Sequence, residues 1–211
     1  MRDTLDGTIR RTSNMNEVQF ERQFNAPVES LWQFIADSPK LEKWMGGPVD
    51  RFELIDGGEV VIQIGPRFGA VASGKVFEYE PRHLVAFTWD VPAWGHTPDL
   101  LGTTMRWEAV GDGQGSKILL THALPYTVGR EHLLAAAWHL HLDQLAQLLA
   151  GNDDHYSIEH ERVKSLTAQY LDADFEKQRA RYEELLDVQQ SDVTEPASVR
   201  GCRGGRPTAA R

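Results

Sequence analysis

The stretch Gly74-Lys75-Val76-Phe77-Glu78-Tyr79-Glu80-Pro81-Arg82-His83-Leu84-Val85-Ala86-Phe87-Thr88-Trp89 decides how the chain reads. β-Branched and aromatic residues flank Glu80-Pro81-Arg82 on both sides. Such residues suit a half-buried pleated surface, and proline presets φ for the second position of a β-turn. The stretch therefore predicts a hairpin, with Val85, Phe87 and Trp89 on one face of its second strand.

Working outward, further hairpins are expected around Asp56-Gly57-Gly58 (strands 50–54 and 59–64) and around 111–115 (strands 103–110 and 117–124). Residues 18–24 alternate as a strand, and Pro27 opens a helix with Leu31, Phe34 and Ile35 on one face. Residues 38–48 read as a short helix and loop, and residues 130–149 as a long helix stopped by Gly151. Strand, helix, antiparallel strands and a long final helix give an α+β order. Residues 1–16 are polar and aperiodic and are expected to be a flexible lead-in. Residues 151–188 carry apolar residues at helical spacing, including Val163, Leu166, Phe175, Tyr182 and Leu186, and predict a helical extension. Its apolar side either packs on its own domain or meets a protein partner or a second copy through 156–188. Residues 189–211, rich in Gly, Arg, Pro, Ser and Thr, are expected to be disordered.

At 211 residues and 41% hydrophobic, the chain can bury one substantial core. A formal charge of −9 argues against nucleic acid or an anionic membrane as the main partner. The single cysteine, Cys202, permits no intrachain disulfide, and neither a signal peptide nor a membrane span is read, so the expected place is the cytoplasm.

Several residues are candidates for chemistry. Strand alternation sends Met105 and Trp107 inward on one strand, and Leu120 and His122 inward on the next. On the long helix Leu134, Trp138, Leu142, Leu145 and Leu149 form a stripe, with His141 beside it. Trp94 and His96 lie on a Gly/Pro-bounded loop that reads either as a lid or as plain exposed loop. An inward histidine is a general base, a ligand-orienting donor, or hydrogen-bonded structure. Taken as a ligand-orienting group, His122 is expected to tolerate alanine with a change in affinity and little loss of stability. No metal motif, P-loop, dinucleotide fingerprint or nucleophile elbow appears, so neither cofactor nor metal is expected.

The order of Phe20-Glu-Arg-Gln-Phe-Asn-Ala-Pro27 with Leu31-Trp32, Leu41-x-x-Trp44, Glu80-Pro81-Arg82-x-Leu84-Val85-x-Phe87-Thr88-Trp89, Leu119-x-x-His122 and Ala137-Trp138-x-x-x-Leu142 resembles one family. It is that of the activators of the heat-shock-protein-90 ATPase and their bacterial relatives in the START-like (SRPBCC) superfamily. The likeness spans residues 17–150, with Ala137 where relatives usually carry glycine. It implies a helix-grip fold, in which a curved antiparallel sheet wraps the long helix. It also implies a cavity between them for an apolar or aromatic small molecule. Trp44, Phe87, Trp89, Trp94, Met105, Trp107, Leu120, His122, Trp138 and His141 would line it. A co-chaperone-like interaction domain and a polyketide cyclase/aromatase-like enzyme are the other roles the resemblance allows.

Overall fold

A computed structural model describes residues 7–11, 14–64, 70–93, 98–111, 113–125, 129–152 and 173–194, with side chains of the last segment from 175 to 186. Among the described residues eight strands and four helices follow in the order β1 (Gly7–Arg11), β2 (Met15–Phe24), α1 (Val28–Ala36), α2 (Ser38–Met45), β3 (Val49–Phe52), β4 (Glu59–Ile64), β5 (Ala70–Glu80), β6 (Leu84–Thr88), β7 (Thr104–Gly111), β8 (Ser116–Pro125), α3 (Glu131–Leu149) and α4 (Ala173–Thr194). One sheet holds all eight strands in the order β1-β2-β8-β7-β6-β5-β4-β3, each neighbouring pair antiparallel. The curved sheet grips α3, which is the α+β helix-grip architecture.

The deciding hairpin is β5–β6. His83 N–H donates to Glu80 O at 3.1 Å across Pro81-Arg82, and Arg82 sits at φ +66°. Proline second and a positive φ third make this a type II turn, with arginine where glycine is usual. Gly74 is required for another reason. A Cβ there would stand 1.6 Å from Thr88 O, so the two strand backbones close up only over glycine. A bulge between Val76 and Glu78 follows directly. β5 also starts earlier than expected, at Ala70, and β6 ends at Thr88, leaving Trp89 just beyond the strand.

Alternation puts one face of each strand inward. Across the sheet Val18 lies opposite His122, His122 opposite Met105, and Met105 opposite Phe87. One step along, Phe20, Leu120, Trp107 and Val85 make the next row. The reverse face carries charge: Arg106 lies between Glu78 and Glu108, and Lys117 meets Glu21 at 2.8 Å. On α1 the buried residues are Leu31, Trp32 and Ile35, while Phe34 is only partly covered. α2 buries Leu41, Trp44 and Met45 and ends on Gly46 at φ +78°. α3 is buried on most of its circumference, because the sheet, α2 and α4 each take a side.

The structure departs from expectation near both ends, at β1 and at the end of α4, and among the described residues it takes one of the two alternatives left open for the extension. The lead-in is not wholly flexible: Gly7–Arg11 pairs with β2 as the edge strand, from Gly7↔Phe20 to Arg11↔Asn16. The helical extension, where described, packs on its own domain. Phe175, Gln178, Tyr182 and Leu186 bury one side of α4 against α3 and the first strands. The Tyr182 ring meets Phe20 and His139 edge-on at 6.1 and 6.0 Å, and its hydroxyl lies 3.0 Å from His139 Nδ1. His139 Nε2 lies 3.6 Å from Asp143 Oδ2, and Arg22 Nη1 donates to Asp143 Oδ1 at 2.6 Å. A polar line thus runs from α4 through α3 to β2. The apolar side once available for a partner is occupied in cis across the described part of 156–188. Helix α4 also runs on to Thr194, past the expected start of disorder at 189; residues 153–172 and 195–211 lie outside the described residues.

Candidate functional site

The inner face of the sheet and the facing side of α3 meet in a continuous cluster of aromatic rings. Trp107, at the middle of the sheet, is 0% exposed and touches four others. Ring centroids lie 5.0 Å away for Phe87, 5.4 Å for Trp44, 6.1 Å for Phe52 and 6.2 Å for Trp138. Trp89 extends the cluster, 5.9 Å from Phe87 and 6.5 Å from Trp138. Met105 and Leu120 fill the same face and are buried. Each buried side chain of this size contributes on the order of 1.5–3 kcal/mol, and each tilted or edge-on ring pair about 0.5–1.5 more.

The polar groups in this wall form a chain whose directions are fixed by donor chemistry. An indole nitrogen only donates, so Trp138 Nε1–H donates to His122 Nδ1 at 3.0 Å. That leaves the His122 proton on Nε2, which donates to Thr103 Oγ1 at 3.2 Å. The Thr103 hydroxyl in turn donates to the Trp89 carbonyl, while Trp89 N–H donates to Thr103 O at 2.8 Å. His122 is 0% exposed, and burial pushes its pKa down from 6.5 to about 3. It is a neutral imidazole in one tautomer, with both nitrogens engaged.

His141 is handled differently. Its Nδ1 donates to Trp44 O at 2.8 Å, tying α3 to the end of α2. Burial lowers its pKa to about 4, against the pull of that hydrogen bond in the other direction. Its ring leans on Trp138 at 5.5 Å. Trp44 Nε1–H donates to Phe34 O at 2.9 Å. Trp107 Nε1 is buried with no hydrogen-bond partner among the described residues.

The interior is electrically plain. Among the described residues no lysine or arginine is buried, and the one buried carboxylate, Glu131, sits at the start of α3 and accepts from Asn16 Nδ2. Among the described residues no group of three or more His, Cys, Asp or Glu stands close enough to hold a metal ion. His139 and His141, two apart on α3, face Tyr182 and Trp44 respectively.

Of the candidates from sequence, Trp44, Phe87, Trp89, Met105, Trp107, Leu120, His122, Trp138 and His141 are all buried in this region. Trp94, and His96 with it, lie outside the described residues. Two members were not foreseen. Phe52 joins from edge strand β3, and Thr103 closes the His122 chain from just before β7. Both had a sequence signal in strand alternation, Thr103 by sharing the parity of Met105 and Trp107, but its hydrogen bond to His122 depends on how the two strands pair and where the loop before it returns.

The sequence model of the family described as Activator of Hsp90 ATPase homolog 1-like protein matches residues 25–150. Among curated proteins none matches the chain. Among solved structures, a conserved protein of unknown function from Enterococcus faecalis, EF2215, is similar with a TM-score of 0.62 and 19% identity, covering 86% of this chain and 91% of that one. CalU16 from Micromonospora echinospora is similar with a TM-score of 0.61 and 18% identity, over 89% of this chain and 99% of that one. DynU16, a protein in the dynemicin biosynthetic locus, has a TM-score of 0.55 and 22% identity, over 66% of this chain and 49% of its own. At these identities the likeness is one of fold.

Proposed function

The chain belongs to the family of Activator of Hsp90 ATPase homolog 1-like proteins, and from that premise we propose that it binds an apolar or aromatic small molecule between the sheet and α3 without transforming it. The observation that carries this reading is the wall itself. Trp44, Phe87, Trp89, Met105, Trp107 and Trp138 concentrate aromatic and thioether surface on one inner face. Sites for small organic molecules are lined in this way, with a few fixed polar groups among apolar ones. A general base is not on offer at His122, whose two ring nitrogens are engaged and whose pKa is far below neutrality. The place of DynU16 in a biosynthetic locus agrees with a small organic ligand.

Phe52 is the ring of the cluster nearest solvent, since it is half-buried on the edge strand while its partners are covered. Its displacement would open a way to Phe87 and Trp107, whose rings it contacts.

Native mass spectrometry of the purified protein, followed by denaturing extraction, tests the reading. A bound organic molecule is expected, lost on denaturation and raising the melting temperature when added back. At a hundredfold excess over Kd, binding to the folded form alone contributes about 2.7 kcal/mol. A protein that is empty and whose melting temperature no aromatic compound raises contradicts the proposal.

A further inference from the structure

We infer that the ligand is an uncharged aromatic molecule bearing a hydrogen-bond-accepting oxygen, and that the Trp107 indole N–H is the donor that receives it. This inference rests on the proposed function and sharpens it to a class of compound.

Trp107 Nε1 is buried in the centre of the wall and has no hydrogen-bond partner among the described residues. The other donors around it are committed. Trp138 Nε1–H goes to His122, Trp44 Nε1–H to the Phe34 carbonyl, and His141 Nδ1–H to the Trp44 carbonyl. A buried donor left unmade is costly, and native proteins rarely keep one without a reason. Water is a poor occupant of this position. A buried water needs two to four polar partners, and Trp107 is ringed by Phe87, Phe52, Trp44 and Trp138. A carbonyl or ether oxygen carried on an aromatic frame needs only the one donor, while its frame replaces ring contacts with ring contacts.

The charge of the ligand follows from the same inventory. With no buried lysine or arginine among the described residues and two neutral imidazoles in the wall, an anionic group would lie uncompensated. A cationic ligand would face the same deficit, because Glu131, the one buried carboxylate, is at the far start of α3 with Asn16. The class is therefore neutral: aryl ketones, quinone-like and aryl ester compounds rather than acids or amines.

Three related probes test this: benzophenone, diphenylmethane (the same two rings with a methylene for the carbonyl) and 4-benzoylbenzoate (the ketone with a carboxylate). Affinities are measured by titration, and the indole N–H signals are followed by ¹H–¹⁵N NMR after backbone-linked assignment. Benzophenone is expected to bind about tenfold more tightly than diphenylmethane, as one neutral hydrogen bond allows, and at least tenfold more tightly than the carboxylate. The Trp107 indole proton is expected to move downfield with benzophenone only. Trp107→Phe keeps a ring and removes the donor, and is expected to equalise benzophenone and diphenylmethane. Should that variant fail to fold, the wild-type indole shift decides alone. If both uncharged probes bind alike and move the Trp44 and Trp138 signals but not that of Trp107, the wall binds ligands and the donor assignment is overturned. In that case the N–H is satisfied by the face of an edge-on neighbour such as Phe87, at 87° to Trp107. If no probe moves any buried indole signal, the proposed function fails and the inference with it.

Discussion

His122 and His141 share a property that can be read from the outside as pH dependence. Both are neutral in the folded protein well below 6.5, with folded pKa values of about 3 and about 4, whereas in the unfolded chain each takes up a proton near 6.5. Their contribution to stability is therefore present above pH 6.5 and is lost as the pH falls from there toward about 4 for His141 and about 3 for His122. By pH 5 each costs about 2 kcal/mol, a figure set by the unfolded pKa because both folded values lie lower. Replacing His141 with asparagine keeps a donor for the Trp44 carbonyl and removes one titration. Denaturant unfolding should show His141→Asn losing about 2 kcal/mol less than wild type between pH 7 and pH 5; equal losses would remove His141 from the account. His122→Ala has a different signature from the mild one expected from sequence. It leaves a hole at a 0% exposed position and strands Trp138 Nε1–H, while the Thr103 hydroxyl keeps the Trp89 carbonyl and loses only the donor to its oxygen, so a loss of about 3 kcal/mol or more is predicted. Sequence alternation put His122 inside. It could not say whether the imidazole would face a ligand or be consumed by Trp138 and Thr103, since that depends on how α3 and the loop before β7 come together.

At the scale of elements, the strands and the long helix were legible because their periodicities are strong, and the boundaries moved only by a few residues. β1 was not. Gly7-Thr-Ile-Arg-Arg11 offers one inward apolar residue, Ile9, and an edge strand is held by its ladder to β2 rather than by a pattern of its own. The amphipathic spacing of α4 was legible but its docking place was not, because that place is assembled from Phe20, His139 and the bare backbone of Gly7. A Cβ at Gly7 would stand 2.5 Å from both the Phe20 ring and the Tyr182 hydroxyl. Gly7→Ala is therefore expected to push α4 outward at a cost of about 1–3 kcal/mol, with faster amide exchange along 173–186 than in α3. Tyr182→Phe keeps the ring packing and gives up the contact with His139, for a loss of about 1 kcal/mol. Unchanged exchange in α4 for both variants would mean that its attachment does not run through Tyr182.

For the whole molecule, the order of strands followed from consecutive hairpins, whereas the wrap of the sheet around α3 came from the family resemblance and is now seen in the Trp107–Trp138 and Trp89–Trp138 contacts. The division of surfaces is consistent with the proposed role. Charge lies on the outer face of the sheet, around Arg106 and Lys117, and aromatic surface lies within. Apolar residues also occur outside, notably Phe77 at 51% and Ile55 at 63% exposure, so binding must be located and not merely detected. Benzophenone offers both the chemistry predicted for the ligand and a means of marking where it sits, because its photoexcited carbonyl inserts into nearby C–H bonds, those of methionine most readily. Irradiation of the protein with benzophenone, followed by peptide mapping, is the most direct measurement. Labelling is predicted at Met105, which is buried on the inner face between Phe87 and His122, and so is its suppression by any molecule extracted from the native protein. Labelling confined to the Phe77 and Ile55 surface or to α4, with Met105 untouched, would contradict the proposed site.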